Sequence, residues 1–408
     1  MEVRELTDWR DLLESERVIA TAFLHPWDED EERRMAQEQA GGEKLRLTQS
    51  WGLFDDDGIM TTSMSCAQHV FSFGGEALSA GEIHMVGSIP ERRGKGGVRA
   101  LMGDVLRAFR KRGDALAVLI PFSCAFYRKF GFEIASRMVC QRVEIGQLAG
   151  FGCDYRVTRV WEEADLLPVR ALWESCARTR DLTELRGDAA WEWHGNGDFG
   201  DPDFLHPELQ RYAYVLWDGN EAIAYVRFSY RPQNVDAPFV GELQVHDVAF
   251  AHPVAFHAVL GFLYRMRAKV THINFELPDV DLATLVPEGD KVEQRLDCHV
   301  MARLLDPARL LSLMPHPHGV GSYVLGIKDS FMLEVAGCWR VTYQDGRATS
   351  VEAADCEADL VVEEPVACQL ILGRIGLTDA LLRPGVHVNG NEETLHRAFV
   401  RRPVHLAL

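Results

Sequence analysis

Val86-Gly-Ser-Ile-Pro-Glu-Arg-Arg-Gly-Lys-Gly-Gly-Val-Arg-Ala-Leu-Met102 is the stretch that decides the fold of this chain. It begins inside an apolar run, Ile83 to Ile89, and leads into apolar residues at helical spacing. Those later residues are Val98, Leu101, Met102, Val105, Leu106 and Phe109. A strand, a glycine-rich loop and a helix start form the layout of a phosphate-binding turn, because glycines let backbone N–H groups approach an anion at the positive end of the helix dipole.

The sequence of the loop fits an anion site but excludes two common kinds of phosphate-binding motif. Arg92, Arg93 and Lys95 supply countercharge for an anion. No Ser or Thr follows a Gly-Lys pair, so the loop lacks the magnesium-binding hydroxyl of a Walker loop. Gly94-Lys-Gly-Gly has the wrong spacing for a dinucleotide fingerprint, and no acidic residue ends a strand about 20 residues on. Two alternatives stay open, a site for a phosphorylated cofactor and a solvated basic turn.

The composition is that of a globular protein with roughly two to three domains. The chain has 408 residues, of which 47% are hydrophobic and 25% charged, so it can bury more than one core. Its formal net charge of −18 argues against a nucleic-acid binder, which needs a basic surface. An acidic protein attracts cationic small molecules instead.

Targeting and metal signals are missing from the sequence. No apolar run reaches the roughly 18 residues of a membrane helix, and the N-terminus does not read as a signal peptide. The nine cysteines include no Cys-x-x-Cys pair, which indicates reduced thiols. Trp191-Glu-Trp-His194 and His316-Pro-His318 lack zinc spacing. We therefore expect a cytoplasmic protein with no membrane span and no metal.

Three segments differ in their predicted secondary structure. Residues 1–150 alternate strands with amphipathic helices and form an α/β unit around the loop. Residues 151–298 repeat this plan in a faded form, but Phe250-Ala-His-Pro-Val254 takes the place of the loop. Residues 299–408 form an α+β module, in which Phe331–Val335 is one of the short predicted strands.

A second informative stretch, Pro121-Phe-Ser-Cys-Ala-Phe-Tyr-Arg-Lys-Phe-Gly-Phe-Glu133, follows a predicted strand. Taken alone, its Tyr127 packs among the neighbouring phenylalanines. Together the two stretches resemble the GCN5-related N-acetyltransferases (GNAT). The loop beginning at Arg93 resembles their Arg/Gln-x-x-Gly-x-Gly/Ala pyrophosphate loop, with Val98 in the last position, and the Tyr127 stretch resembles their Tyr-x-x-Phe-Gly-Phe/Tyr segment.

The order of the segments resembles the enhanced-intracellular-survival (Eis) family of GNAT enzymes. That resemblance implies tandem GNAT domains, the second degenerate, followed by a sterol-carrier-protein-like domain, in a homohexamer. It implies a cytoplasmic N-acetyltransferase with acetyl-CoA as cosubstrate. The acceptors it implies are primary amines, either of polycationic small molecules such as aminoglycosides or of lysine side chains.

The resemblance also implies roles for individual residues. The N–H groups of a bulged, splayed strand polarise the acetyl oxygen, a role that falls to Val86, Gly87 and Ser88. The residues implied to hold the pyrophosphate are Arg93, Gly94, Lys95, Gly96, Gly97, Val98 and Arg99. Phe122 and Ser123 line the other side of the cofactor.

Two further residues are implied to transfer protons. Tyr127 protonates the leaving thiolate, since a phenol with a pKa of about 10 is protonated at neutral pH. The C-terminal carboxylate, here Leu408, acts as the base, although the family typically ends in an aromatic residue. The apolar segment Val404-His-Leu-Ala-Leu408 is typical of a docked end, and packing without chemistry is its alternative.

Two other functions remain open at the level of sequence. One is a non-catalytic protein that binds acetyl-CoA or a lipid through inactive GNAT units. The other is acetylation of protein lysines or N-termini in place of small polyamines. Acceptor pockets have no fixed motif, so the sequence does not separate these acceptors.

Overall fold

The computed structural model describes residues 1–41, 48–161, 163–188, 191, 211–233, 239–277 and 280–407. The chain divides into two compact units. The first unit comprises Met1–Ser136 together with His299–Leu408, and the second comprises Arg137–Cys298. We call residues 299–407 the C-terminal region. Within the described residues, no helix is both long and apolar enough to cross a membrane.

The first unit is built on a mixed sheet. Its strands are β1 (Glu2–Leu6), β2 (Thr48–Phe54), β3 (Met60–Phe73), β4 (Glu76–Ser88), β5 (Leu116–Leu119) and the end of β12 (Glu293–Leu304), in that order. The pairing of β4 with β5 is parallel, and the other neighbouring pairs are antiparallel. The helices of this part are α1 (Trp9–Phe23), α2 (Glu29–Gly41), α3 (Gly97–Arg112) and α4 (Cys124–Tyr127).

Helices α1 and α3 cover opposite faces of this sheet. The Ser15 hydroxyl of α1 lies 2.5 Å from that of Ser63 in β3, whereas a Cβ on Gly97 of α3 would touch Thr62. Neighbouring residues of a strand point to opposite faces, so the two helices lie on different sides. Asp8 caps α1 by accepting the Arg10 N–H.

The C-terminal region forms a second sheet. Its strands follow the order β15-β14-β13-β16-β17. Their bounds are β13 (Val320–Lys328), β14 (Gly337–Gln344), β15 (Arg347–Ala353), β16 (Leu360–Glu363) and β17 (His387–Val388). The helices are α7 (Pro307–Leu313), α8 (Glu364–Leu372), α9 (Leu377–Ala380) and α10 (Glu392–Ala398).

The predicted strand Phe331–Val335 is wrong. The Asp329 carboxylate accepts the N–H groups of Phe331 and Met332 at 2.8 and 2.9 Å, and this bends the chain into a turn. A local side-chain acceptor therefore competes successfully with strand pairing. The chain re-enters the sheet at Gly337.

The second unit repeats the mixed plan. Residues 140–144 of β6 (Glu133–Glu144) are followed across its sheet by β11 (Val270–Glu276), β10 (Gly241–Phe250), β9 (Glu221–Pro232), β8 (Arg211–Asp218) and β7 (Arg156–Arg159). Strands β10 and β11 are parallel, as β4 and β5 are in the first unit. The helices are α5 (Leu167–Arg178) and α6 (Pro253–Tyr264). The repeat of the α/β plan is therefore a property of the fold as well as of the sequence.

Candidate active site

The site lies where β4 leaves its parallel neighbour. Pairing between β4 and β5 ends at Glu82 and Val118, but β4 continues to Ser88. Two residues of β4, Met85 and Val86, stand opposite Met64 of β3, which forms a β-bulge. Met85 adopts a left-handed φ of 49° at this point. The bulge and the separation of the strands leave backbone groups of β4 available to a ligand.

The N-terminus of α3 faces the end of β4 through the glycine-rich loop. Gly94 and Gly96 have φ values of 76° and 82°, which L-residues with a Cβ rarely adopt. Gly96 is the N-cap and offers no side-chain cap, and the first helical bond is Ala100 N–H to its carbonyl. The N–H groups of the first turn therefore remain available for an anion.

The basic side chains of the loop have different tasks. The Arg93 guanidinium donates to the carbonyls of Ser88 and Ala22 at 3.2 and 3.1 Å, so it fixes the loop against β4 and α1. Arg92 pairs with Asp55 at 3.3 Å. Lys95 is exposed to solvent. The fixed part of the anion site is consequently the backbone, and the arginines hold it in shape.

A cavity of about 570 Å³ opens between the loop and the separated strands. Ten of the residues proposed from the sequence line it: Val86, Gly87, Ser88, Arg93, Gly94, Gly96, Gly97, Val98, Arg99 and Phe122. Lys95, Ser123 and Tyr127 do not line it directly. Arg92, which the sequence offers as countercharge for an anion, lines the cavity as well. Sequence reasoning missed five lining residues: Ala22, Phe23, Phe126, Lys129 and Phe130. Of these, Phe126 and Phe130 belong to the Tyr127 stretch, and their i, i+4 spacing places them on one face of a helix. That spacing is the signal that could have identified them.

Tyr127 lies directly behind the aromatic wall of this cavity. Its ring makes edge contacts with Phe122 and Phe126 at 5.5 and 5.2 Å, and its side chain is only 5% exposed. Ser123 caps the short helix α4 by accepting the Phe126 N–H. Burial raises the pKa of the Tyr127 phenol to about 12, because the charged form is poorly solvated there. The phenol is therefore a proton donor at neutral pH.

The proposed base, Leu408, lies outside the described residues. The chain before it is held by contacts of three residues. Arg401 pairs with Asp379, and the Arg402 N–H donates to the Gly373 carbonyl at 2.8 Å. Leu406 is 1% exposed. The end of the chain is thus docked up to this residue, which agrees with its apolar sequence.

Two parts of the chain match a known domain family. Residues 2–135 and 185–304 each match an acetyltransferase (GNAT) domain family. An uncharacterized N-acetyltransferase of Streptomyces avermitilis is 26% identical over 320 residues, which cover 75% of each chain.

Two solved structures share the fold over nearly the whole chain. A probable N-acyltransferase of Enterococcus faecalis has a TM-score of 0.82 at 21% identity and covers 99% of this chain and 98% of its own. Eis1 from Mycobacterium abscessus has a TM-score of 0.80 at 19% identity and covers 100% of this chain and 99% of its own. The sequence matches point to acetyl transfer, and the structural matches show that one fold spans all of the segments.

Proposed function

From the premise that this chain is an acetyltransferase with two GNAT domains in an Eis-like fold, we propose that its first unit alone carries out catalysis. The proposed reaction transfers acetyl from acetyl-CoA to a primary amine. The GNAT fold implies acetyl-CoA as the cosubstrate. The observation that carries this proposal is the cavity between the separated strands, with the α3 N-terminus at one end and Tyr127 behind its wall.

The residues present fit acetyl-CoA. The N-terminal turn of α3 suits a pyrophosphate, because the N–H groups of a first helical turn have no intrahelical partner and Gly96 places no capping side chain on them. Arg93, Gly94, Lys95, Gly96, Gly97, Val98 and Arg99 are proposed to form the pyrophosphate site. Arg93 would hold the loop in shape, and the exposed Lys95 would add countercharge. Phe122 and Ser123 are proposed to bound the pantetheine arm on the other side. Bound acetyl-CoA supplies a thioester, whose C–S bond breaks as the N–C bond to the amine forms.

The backbone of β4 is proposed to stabilise the charge that develops on the acetyl oxygen. Val86, Gly87 and Ser88 lie at and after the bulge, where β4 no longer pairs with β5. Fixed N–H dipoles of this kind need no reorganisation during the reaction. A Cβ on Gly87 would lie 2.9 Å from that of Ala22, so glycine permits α1 to pack against this strand.

Tyr127 is proposed to donate its phenolic proton to the departing sulfur. The raised pKa of about 12 keeps the phenol protonated until that moment. The carboxylate of Leu408 is proposed to take the proton that the amine loses. Docking of the preceding residues supports this role, and burial would raise the basicity of a carboxylate.

The acceptor is proposed to be a polycationic amine such as an aminoglycoside, or a lysine side chain. The net charge of −18 favours the approach of cations. The Eis resemblance extends the proposal to the assembly, with residues 299–408 as a sterol-carrier-like domain in a cytoplasmic homohexamer. Sedimentation of the purified chain tests the hexamer.

Release of free thiol from acetyl-CoA tests the function across aminoglycosides, polyamines and lysine peptides. We expect turnover with at least one of these amines. Failure with every amine, together with measurable CoA binding, would instead support a non-catalytic acetyl-CoA- or lipid-binding protein.

Adding residues after Leu408 tests the proposed base. The extension moves the carboxylate away, so kcat should fall by about tenfold or more. The same extension placed before Met1 is the matched control and should leave kcat unchanged. Full activity of the C-terminal extension would remove Leu408 as the base.

A further inference from the structure

A fully buried arginine of the C-terminal region stands behind the cavity wall. Arg303 of β12 is 0% exposed. One of its terminal nitrogens donates to the carbonyl of Phe130, and the other pairs with the carboxylate of Asp329. Phe130 lines the cavity and follows Tyr127 by three residues. The guanidinium therefore holds the carboxyl end of the segment that carries the proposed acid.

Asp329 connects Arg303 to residues near the glycine-rich loop. Its second oxygen accepts the N–H groups of Phe331 and Met332 and fixes the turn that contains them. The Phe331 ring packs against Phe130 with ring centres 5.5 Å apart. It also lies under the guanidinium of Arg99, at 4.8 Å. One carboxylate thus connects both sides of the cavity, Phe130 and the first turns of α3.

Gly131 is required by the same arrangement. It has a φ of 87°, and a Cβ there would lie 2.0 Å from the Arg303 guanidinium and 3.0 Å from Glu364. Glu364 accepts the Leu304 N–H at 2.6 Å, and burial raises its pKa to about 8. Burial thus disfavours the charged form of Glu364, and Asp329 is the ion-pair partner of Arg303. The glycine that the sequence places after Tyr127 makes room for this pair.

Stability alone does not account for the pair. Desolvation of two buried charges costs about as much as their attraction returns, so apolar residues of similar size often serve as well. An apolar pair would not fix the Phe130 carbonyl or the Phe331 turn. What the charged pair supplies is a defined geometry for the two walls of one cavity.

We propose that Arg303, held by Asp329, is a positioning residue for the acetyl-transfer reaction, which makes the C-terminal region part of the acetyl-CoA site. It acts through the Phe130 carbonyl on the segment that carries Tyr127, and through Phe331 on the first turns of α3. The inference rests on the proposed function and extends the site beyond residues 2–135, which match the first GNAT domain.

A double-mutant cycle with Arg303→Lys and Tyr127→Phe tests the proposal. Lysine keeps the charge but loses the fork that spans Phe130 and Asp329. We expect Arg303→Lys to lower kcat by about tenfold in the parent chain and by less than about threefold when Tyr127 is already Phe. An equal loss in both backgrounds, or an unchanged kcat for the folded protein, would overturn the proposal.

Asp329→Asn and Asp359→Asn form a matched pair. Asp359 also holds a backbone N–H in the C-terminal region, that of Val324 at 2.7 Å, but it does not contact Phe130 or Arg303 among the described residues. Asp329→Asn should reproduce the fall in kcat, whereas Asp359→Asn should leave kcat within about twofold. Equal effects of the two variants would contradict a positioning role.

CoA binding by calorimetry separates this proposal from the proposed function. If no amine is acetylated by the parent chain, the proposed function fails. CoA binding still tests whether Arg303 positions the cavity wall. Arg303→Lys should weaken CoA binding by about threefold or more, and Asp359→Asn should not. An unchanged Kd for Arg303→Lys in an inactive chain would overturn the proposal.

Discussion

Both units contain a bulged strand that separates from its parallel neighbour, but the helices that follow these strands begin differently. In the second unit, β10 carries an extra residue, His246, between its pairs with Phe228 and Arg227 of β9. Its pairing with β11 ends at Val245, although β10 continues to Phe250. The strand geometry that opens the first cavity is therefore shared by both units.

The difference lies at the N-termini of α3 and α6. Gly96 caps α3 without a side chain, so the N–H groups of the first turn remain available. At α6 the ring of His252 accepts the Ala255 N–H at 3.2 Å, and Pro253 has no N–H to offer. A few residues thus decide whether the N–H groups of a helix start stay available or are capped.

Tyr127→Phe removes the proposed general acid of the first unit, and we expect it to have the largest effect on kcat. A general acid contributes about 10²- to 10⁴-fold, so kcat should fall by about 100-fold or more. The affinity for CoA should change little, because the phenol lies behind the cavity lining. Steady-state kinetics and calorimetry measure the two quantities. An unchanged kcat would remove Tyr127 as the acid.

Gly96→Asp gives α3 a capping carboxylate, as α6 has a capping ring. The carboxylate would occupy the proposed pyrophosphate site and repel the pyrophosphate, so we expect CoA binding to weaken by about tenfold or more. Gly113→Asp at the other end of α3 is the matched control, since Gly113 also has a positive φ, 99°, and open space around its Cβ. Similar Kd values for both variants would contradict an anion site at Gly96.

His252→Ala removes the cap of α6 and tests the other side of the comparison. Loss of an N-cap should lower the free energy of unfolding by about 0.5–1 kcal/mol. Acetyl-CoA turnover should stay at the parent level, because the proposed acetyl-CoA site lies in the first unit alone. Urea unfolding and thiol release measure these effects. A fall in turnover without unfolding would assign the second unit a catalytic role.

The free energy of unfolding should also depend on pH, in the range above pH 10. Burial raises the pKa of Tyr127 from 10 to about 12, so the folded state holds this proton more tightly than the unfolded state. The resulting contribution to stability is present below pH 10 and is lost as the pH rises from 10 toward 12. The parent chain should therefore lose stability relative to Tyr127→Phe above pH 10, and urea midpoints that stay parallel to pH 11 would argue against the shift.

Local signals predict much of the fold and part of the site. The glycine loop, the strand before it and helices α1 and α3 follow from periodicity, caps and glycines that are close in sequence. Strand β12 was not predicted, because its first half, Glu-Gln-Arg-Leu-Asp-Cys-His from Glu293, is polar and shows no alternation. The turn at Phe331 depends on hydrogen bonds to one side chain, that of Asp329. Strand propensities take no account of such bonds.

Contacts between distant residues account for what the sequence does not predict in the site. Ala22 and Phe23 reach the cavity only because α1 packs on the bulged strand, and Arg303 reaches Phe130 across 173 positions of the chain. Neither contact leaves a local pattern. Tyr127 and the loop are separated by a strand, and only their resemblance to a known arrangement joins them in advance.

The number of CoA molecules bound per chain tests the central claim most directly. Calorimetric titration of the whole chain with CoA should give one site, with Gly96→Asp weakening that site and His252→Ala leaving it unchanged. Two sites per chain, or one site that is insensitive to Gly96→Asp, would contradict the assignment of acetyl-CoA to the first unit alone.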